Sequence, residues 1–168
     1  AITIEDYKGK YQPIDYKQDD TVYAVKEMSK PIIVSKGALT VSNNEVKVMR
    51  EIPKSNFIIN MWHAFQDENN AFLLMDYAPW GDLLFHMKKL KVKQLQEKGK
   101  GGTFTELQGK FITVWILESL KLVHEAGVIH RDVKPDNILI DSNGYPKLAD
   151  FGIAEFEDNI IAGSQYGT

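Results

Sequence analysis

The sequence predicts an α+β fold, because strand-like runs dominate its first half and helical patterns its second. Residues 21–28 alternate apolar and polar side chains and are rich in valine, which is typical of a strand. Two more strand-like runs, 57–65 and 71–77, flank a turn-like segment. Residues 44–52 carry apolar side chains at helical spacing. A longer amphipathic helix is predicted over residues 105–125, with an inward stripe that includes Phe111, Trp115 and Leu122.

The composition is that of an ordinary globular chain and excludes several classes. The 168 residues are 43% hydrophobic and 26% charged, and the net charge of −3 gives no reason to expect nucleic acid or an anionic membrane as main partner. We expect no membrane span and no secretory signal, since the apolar runs are short. The absence of cysteine excludes disulfides and fits an intracellular, cytoplasmic location.

Breaks and charge runs suggest how the chain is organised. Pro79-Trp80-Gly81 interrupts the pattern and is the best candidate for a linker, which predicts one unit over 1–78 and another over 79–168. A short helix is predicted just after it. The lysine-rich residues 88–102 are interpreted as a solvated, mobile insertion, with a basic docking patch as the alternative. Thr105 and Gln108 predict a capping box at the start of the long helix.

The most informative stretch is residues 130–137, with the sequence HRDVKPDN. It places Asp132, Lys134 and Asn137 on a loop, because Pro135 interrupts any helix. An Asp carboxylate at this position suits orienting an attacking hydroxyl group, and the lysine supplies positive charge for a phosphoryl group.

A second acidic residue, Asp150, opens the triplet Asp-Phe-Gly further along the chain. The intervening residues predict a hairpin that turns at residues 142–144 and returns Asp150 to the side of Asn137. Oxygen atoms of Asp and Asn suit Mg²⁺, a hard cation that shares its coordination shell with water and substrate phosphates.

Residues 130–137 and 150–152 closely resemble the H-R-D-L-x-x-x-N and D-F-G loops of the eukaryotic serine/threonine protein kinases, with Val133 in place of leucine. The resemblance implies that Asp132 is the catalytic base, that Asn137 and Asp150 bind Mg²⁺, and that Lys134 contacts phosphate. It also implies a two-lobed fold: a small antiparallel β-sheet lobe with one helix, and an incomplete, mainly helical large lobe.

The N-terminal half offers a second test of the resemblance. In the family, an A-x-K strand supplies a lysine for the ATP phosphates, and a helix supplies the glutamate that pairs with it. Lys26 and Glu45 match these positions. The alternatives are that Lys26 is an ordinary strand lysine, and that Glu45 closes a capping box with Ser42.

The resemblance also implies an ATP site around residues 72–77. Met75 corresponds to the residue behind the adenine, and the backbone of Asp76 and Ala78 to the groups that hydrogen-bond its edge. The resemblance also places Asp82 at the ribose, and Ala24 and Leu139 above and below the adenine ring.

The sequence departs from the family at one point and suggests regulation at another. Residues 2–13 contain a single glycine, Gly9, where the family has a glycine-rich loop over the phosphates. Ser164 lies where many kinases are phosphorylated by an upstream activating kinase, and Arg131 is the residue expected to receive that phosphate. Both ends look cut, so we expect a piece of a longer protein.

The resemblance therefore implies an enzyme that uses ATP and Mg²⁺ to phosphorylate serine or threonine hydroxyls of a protein substrate. Residues 141–145 and the position of Ser164 lean toward the cyclic-nucleotide-dependent and calcium/calmodulin-dependent branches. The alternatives are a pseudokinase or nucleotide-binding scaffold, and an inactive fragment that lacks the rest of the large lobe.

Overall fold

A three-stranded antiparallel sheet occupies the first half of the computed structural model, which describes residues 21–35, 39–98 and 104–160. The central strand is β3, with β1 and β2 on either side of it. The sheet consists of β1 (Tyr23–Ser29), β2 (Met61–Gln66) and β3 (Asn70–Asp76). The three predicted strands are thus confirmed, although β2 begins later than expected because residues 57–59 bond to another part of the chain.

Two helices accompany the sheet, α1 (Lys30–Ser35) and α2 (Leu39–Glu51). The sequence predicted one helix here, because six residues are too few to show a helical period. The helix α2 begins earlier than predicted, so Ser42 lies inside it and is no N-cap. The capping-box alternative for Glu45 is therefore wrong.

The second half of the chain holds α3 (Leu83–Lys98) and α4 (Glu106–Glu125). The helix α3 is longer than the short helix predicted and includes residues 88–98, whose described lysines are exposed, as the solvated interpretation expects. Residues 99–102 lie outside the described residues. Lysine, leucine and glutamine have high helix propensity, which explains why this run is helical. At the start of α3, the Phe85 N–H donates to the Asp82 carboxylate at 2.7 Å.

Short paired strands follow α4 and carry the candidate site. The predicted hairpin is confirmed, with Gly144 in its turn at a φ of 86°. Just before it, residues Pro135–Asn137 form one turn of 3₁₀ helix. The strand pairs are β4 (Val128–Ile129) with β7 (Glu155–Phe156), and β5 (Ile138–Ile140) with β6 (Pro146–Leu148).

One hydrophobic core joins the two halves of the chain. Leu148 on β6 is fully buried, and its N–H and C=O bond to the Phe57 C=O and the Ile59 N–H, each at 2.9 Å. The core residues Val48 and Met49 of α2 belong to the same cluster as Val123 of α4. The sheet therefore sits directly against the β5–β6 hairpin. The division between residues 78 and 79 stays a prediction.

The helix α4 shows the predicted capping box but only part of its predicted inward stripe. The Gln108 N–H donates to the Thr105 hydroxyl oxygen at 3.3 Å, and the Thr105 N–H donates to the Gln108 side chain at 2.9 Å. Phe111, expected in the core, is 42% exposed and packs instead on the ring of Trp115. Within residues 21–35, 39–98 and 104–160, no helix combines the length and apolar character that crossing a membrane requires.

Replacing Thr105 by alanine removes the side-chain half of this cap. We expect Thr105→Ala to lower the free energy of unfolding by about 0.5–2 kcal/mol, measured by urea denaturation. The matched control is Thr113→Ala, an exposed threonine inside α4. There the change to a better helix former leaves stability unchanged or slightly higher. Equal losses in both variants would contradict a capping role.

Candidate active site

A cavity of about 480 Å³ lies between the sheet and the β5–β6 hairpin. It brings together residues that are far apart in sequence, because the backbone bonds of Leu148 hold the hairpin against residues 57–59. Ala24 and Met75 are direct cross-strand neighbours in its wall. The sequence-predicted residues that line it are Ala24, Lys26, Glu45, Met75, Asp76, Ala78, Asn137, Leu139 and Asp150.

An ion pair joins the sheet to α2 inside this cavity. The Lys26 ammonium on β1 lies 2.6 Å and 2.9 Å from the two carboxylate oxygens of Glu45 on α2. The Glu45 side chain is only 6% exposed, and a buried carboxylate is costly unless it is paired and hydrogen-bonded. The pair therefore holds the lysine ammonium at one fixed place in the cavity wall.

The loop of residues 130–137 is organised around one oxygen of Asp132. Its Oδ2 accepts hydrogen bonds from the Lys134 ammonium at 2.6 Å and from the Asn137 side-chain amide at 2.8 Å. The same amide also donates to the Asp132 backbone oxygen at 2.9 Å. The hydrogen bond from Lys134, aided by that from Asn137, lowers the pKa of Asp132 below its ordinary value. Asp132 is therefore an ionised carboxylate at neutral pH.

The imidazole ring of His130 is neutral and supports this loop. Its ring is 1% exposed and packs edge-on against Phe151, with centroids 4.9 Å apart. Burial lowers the pKa of His130. The Nδ1 atom accepts from the Asp132 N–H at 3.3 Å, which leaves Nε2 to donate to the Ala149 C=O at 3.1 Å. The imidazole thus ties the chain before Asp132 to the chain before Asp150.

Asn137 and Asp150 provide the oxygen atoms of a candidate Mg²⁺ site. The Ala149 N–H donates to the Asn137 C=O at 2.8 Å, which keeps the two segments side by side. Because the Asn137 amide nitrogen faces Asp132, its side-chain oxygen points elsewhere and is available as a ligand. Among the described residues no cluster of three acidic or histidine side chains could enclose a metal. Two oxygen ligands fit Mg²⁺, which completes its shell with phosphates and water.

The backbone at this site is strained. Asp150 and Arg131 have φ angles of 62° and 66°, a region that costs a non-glycine residue about 1–3 kcal/mol. A Cβ atom on Gly152 would lie 3.1 Å from the Asp150 carboxylate oxygen Oδ1, so glycine leaves room for that carboxylate. Such strain is typical of sites where side-chain placement matters more than stability.

Asp76 is anchored by a network that the sequence did not predict. Its carboxylate accepts from the Trp62 indole N–H at 2.7 Å and the Asn60 amide at 2.7 Å, and it lies 3.7 Å from the Lys147 ammonium. Lys147 is 8% exposed within β6. A single lysine in an otherwise apolar strand requires a counter-charge, and that signal could have revealed the pair. The network ties the end of β3 to the hairpin.

The remaining predicted residues either do not line the cavity or lie outside the described residues. Asp82 does not line it, and one of its carboxylate oxygens caps α3. The Arg131 guanidinium donates to the Ile153 C=O at 2.6 Å. Ser164 and the glycine-poor residues 2–13 lie outside the described residues, so their roles stay predictions.

Comparison with known proteins identifies the family. The protein kinase domain model matches residues 9–167, so the chain belongs to the protein kinase family. It is 29% identical over 160 residues to the serine/threonine-protein kinase PKH3 of Saccharomyces cerevisiae and 32% identical over 154 residues to the serine/threonine-protein kinase SCH9 of Candida albicans. It is 31% identical over 147 residues to the cAMP-dependent protein kinase catalytic subunit of Dictyostelium discoideum.

These alignments cover most of the chain but little of each relative. They include 94%, 90% and 88% of this chain, and 16%, 18% and 21% of the three relatives in the same order. The relatives support the predicted serine/threonine protein kinase family. The third relative is consistent with the predicted similarity to the cyclic-nucleotide-dependent branch.

Removing the Lys134 ammonium tests the electrostatics of Asp132. In the folded protein the low pKa keeps this carboxylate ionised, and the associated stability is lost only as the pH falls through that lowered value. We expect Lys134→Met to raise the pKa of Asp132 toward its ordinary range, followed by carbon-13 NMR of its carboxyl group. The control is Lys110→Met, since Lys110 pairs with Glu106 on exposed α4. An unchanged titration in Lys134→Met would contradict the assignment.

Proposed function

We propose that the chain transfers the γ-phosphoryl group of ATP to serine or threonine hydroxyls of a protein substrate. The observation that carries the proposal is the Lys26–Glu45 ion pair, at 2.6 Å, in the same cavity as Asn137 and Asp150. Family membership and the printed names of the relatives support it. The proposal extends to an intracellular location and to an upstream kinase that acts on Ser164.

The adenine would occupy the part of the cavity between Ala24 and Leu139, with Met75 behind it. The Asp76 N–H already donates to the Asn60 C=O at 3.0 Å, so its carbonyl oxygen is the group left to accept from the adenine amino group. The Ala78 N–H is the matching donor. The hydrogen bonds of the Asp76 side chain hold the end of β3 in place, and with it these two backbone groups.

The phosphates would lie toward Lys26, whose ammonium Glu45 holds in position. Asn137 and Asp150 would bind Mg²⁺ through their side-chain oxygens. When bound there, Mg²⁺ would neutralise the negative charge of the phosphates. The protein residues mainly position charge, which is the principal source of catalysis in phosphoryl transfer.

Asp132 and Lys134 would act on the acceptor and on the group transferred. The ionised Asp132 accepts the hydrogen bond of the substrate hydroxyl and takes its proton. The hydroxyl oxygen forms a bond to the γ-phosphorus, the bond from that phosphorus to the bridging oxygen breaks, and ADP leaves. The Lys134 ammonium, 2.6 Å from Asp132, provides positive charge beside the transferred group.

The pseudokinase alternative rested on the glycine-poor residues 2–13. The set of Lys26, Glu45, Asp132, Asn137 and Asp150 instead supports catalysis, because a nucleotide-sensing scaffold has no need of a proton acceptor.

The decisive experiment neutralises Asp132. We expect Asp132→Asn to lower Mg²⁺-dependent phosphate transfer to a basic protein substrate by about 10²–10⁴-fold, since the proton acceptor is lost. Asp158→Asn, the same change at an exposed position, serves as the control and retains activity. ATP binding is measured in parallel by fluorescence. Binding without turnover in the unmodified protein would favour the pseudokinase, and equal activity of both variants would contradict the proposed base.

The role of Glu45 is tested by removing its charge while keeping its shape. We expect Glu45→Gln to lower kcat/KM for ATP about tenfold to hundredfold, because a hydrogen bond to a charged group contributes roughly 1.5–3 kcal/mol. Steady-state kinetics at varied ATP concentration measures this change. Glu51→Gln, at the exposed end of α2, is the matched control. A value of kcat/KM within the error of that control would exclude Glu45 from the positioning of Lys26.

A further inference from the structure

The helix α2 contacts the chain after Asp150 through a side chain that has no part in the steps proposed above. The Asn44 side-chain amide donates to the Ala154 C=O at 2.7 Å. Asn44 directly precedes Glu45 on α2, and Ala154 lies four residues after Asp150. A single amide therefore joins the helix that carries half of the ion pair to the segment that carries a proposed Mg²⁺ ligand.

The Ala154 carbonyl group needs a donor because it is enclosed by protein. Ala154 is 0% exposed and belongs to the hydrophobic core that joins the two halves of the chain. A buried carbonyl group without a hydrogen bond is costly. A carbonyl oxygen only accepts hydrogen bonds, so the amide nitrogen is the part of the Asn44 side chain that fits here.

A second contact lies on the same side of α2. Lys47 follows Asn44 by three positions, which places the two side chains next to each other on the helix. The Lys47 ammonium lies 4.8 Å from the centroid of the Phe156 ring, which is a cation–π distance. Phe156 belongs to β7, which pairs with β4. One side of α2 thus contacts both ends of the short stretch 154–156.

The backbone of Asp150 explains why such contacts matter. Its φ of 62° is unfavourable for a non-glycine residue, and such a conformation persists only where the surrounding structure holds it. The Arg131 guanidinium donates to the Ile153 C=O at 2.6 Å. Asn44 donates to the carbonyl group of the next residue. Both bonds hold the chain that leaves Asp150, and so they help to keep the strained conformation.

We propose that Asn44 is a positioning residue for the Mg²⁺ site. Its amide keeps Asp150 beside Asn137, because loss of the donor leaves a buried carbonyl group unpaired and lets residues 151–154 relax. This role rests on the proposed function, since that function assigns Asp150 to Mg²⁺. Asn44 does not line the nucleotide cavity, so it acts through this segment and not on the substrate.

Amide hydrogen exchange tests the contact in the metal-free protein. The Ala154 N–H bonds to the Phe151 C=O at 3.1 Å and reports on the segment. We expect Asn44→Leu, which keeps the size of the side chain but removes the donor, to speed exchange of this N–H about tenfold. Asn44→Gln retains an amide and stays close to the unmodified protein. Equal effects of leucine and glutamine would show a loss of packing and overturn the proposal.

The matched control is Asn159→Leu. Asn159 is an exposed asparagine just after the same segment, and its amide donates to the Glu155 carboxylate at 2.8 Å. The substitution is the same, but the contact to α2 remains. We expect Asn159→Leu to leave both the exchange of the Ala154 N–H and the binding of metal unchanged.

Mn²⁺ measures the effect on the metal site, because it binds to oxygen ligands as Mg²⁺ does and is followed by electron paramagnetic resonance. At saturating ATP, we expect Asn44→Leu to raise the Kd of Mn²⁺ about tenfold. The Kd of ATP without divalent ions stays unchanged, because Lys26 and Glu45 keep their places. Glu45→Gln, one residue further along α2, gives the opposite pattern and weakens the binding of metal-free ATP.

Each result bears on the proposal. Faster exchange with a higher Kd of Mn²⁺ in Asn44→Leu supports it. Equal weakening of ATP and Mn²⁺ would show that Asn44 only stabilises the fold, and would overturn it. An unchanged Kd of Mn²⁺, or no Mn²⁺ binding to the unmodified protein, also overturns it. The proposed function fails separately: an unmodified protein that binds ATP and Mn²⁺ but transfers no phosphate contradicts phosphoryl transfer and leaves the positioning role intact.

Discussion

The arrangement of the active site depends on the backbone of Leu148. Its N–H and C=O bond to the chain just before β2, while β6 itself pairs with β5. These bonds hold the hairpin against the chain before β2, and the proposed nucleotide cavity lies between the sheet and that hairpin. Because Leu148 is fully buried, water does not compete for these bonds, and the two halves share one core.

The packing of the sheet against the hairpin also brings oppositely charged side chains together. Lys26 and Glu45 come from a strand and a helix, and Glu45 requires its partner because its carboxylate is buried. Asp132 lies in a different segment and is balanced by Lys134 and Asn137. The charged groups of the site are therefore paired within the protein, with the Lys26 and Lys134 ammonium groups where the proposal puts the phosphates.

The helix α3 begins at Leu83, seven residues after Asp76 at the end of β3. Its first turn contributes Leu83 and His86 to a cavity beside α4. Its lysine-rich part was interpreted from sequence as a mobile insertion, because charge runs are usually solvated. In the structure residues 88–98 are helical and the described lysines are exposed, so the run is a solvated helix; the docking-patch alternative stays a prediction.

The sequence by itself determined the strands of the sheet, the capped helix α4, the hairpin and the spacing of Asp132, Asn137 and Asp150, because these depend on local periodicity and turn residues. It also identified the family through two loops. Only the tertiary structure decided that Glu45 pairs with Lys26 instead of capping α2, that Lys147 and Asn60 anchor Asp76, and that Phe111 faces a groove. These contacts join residues remote in sequence, and a local pattern cannot specify which buried charge or exposed ring meets which partner.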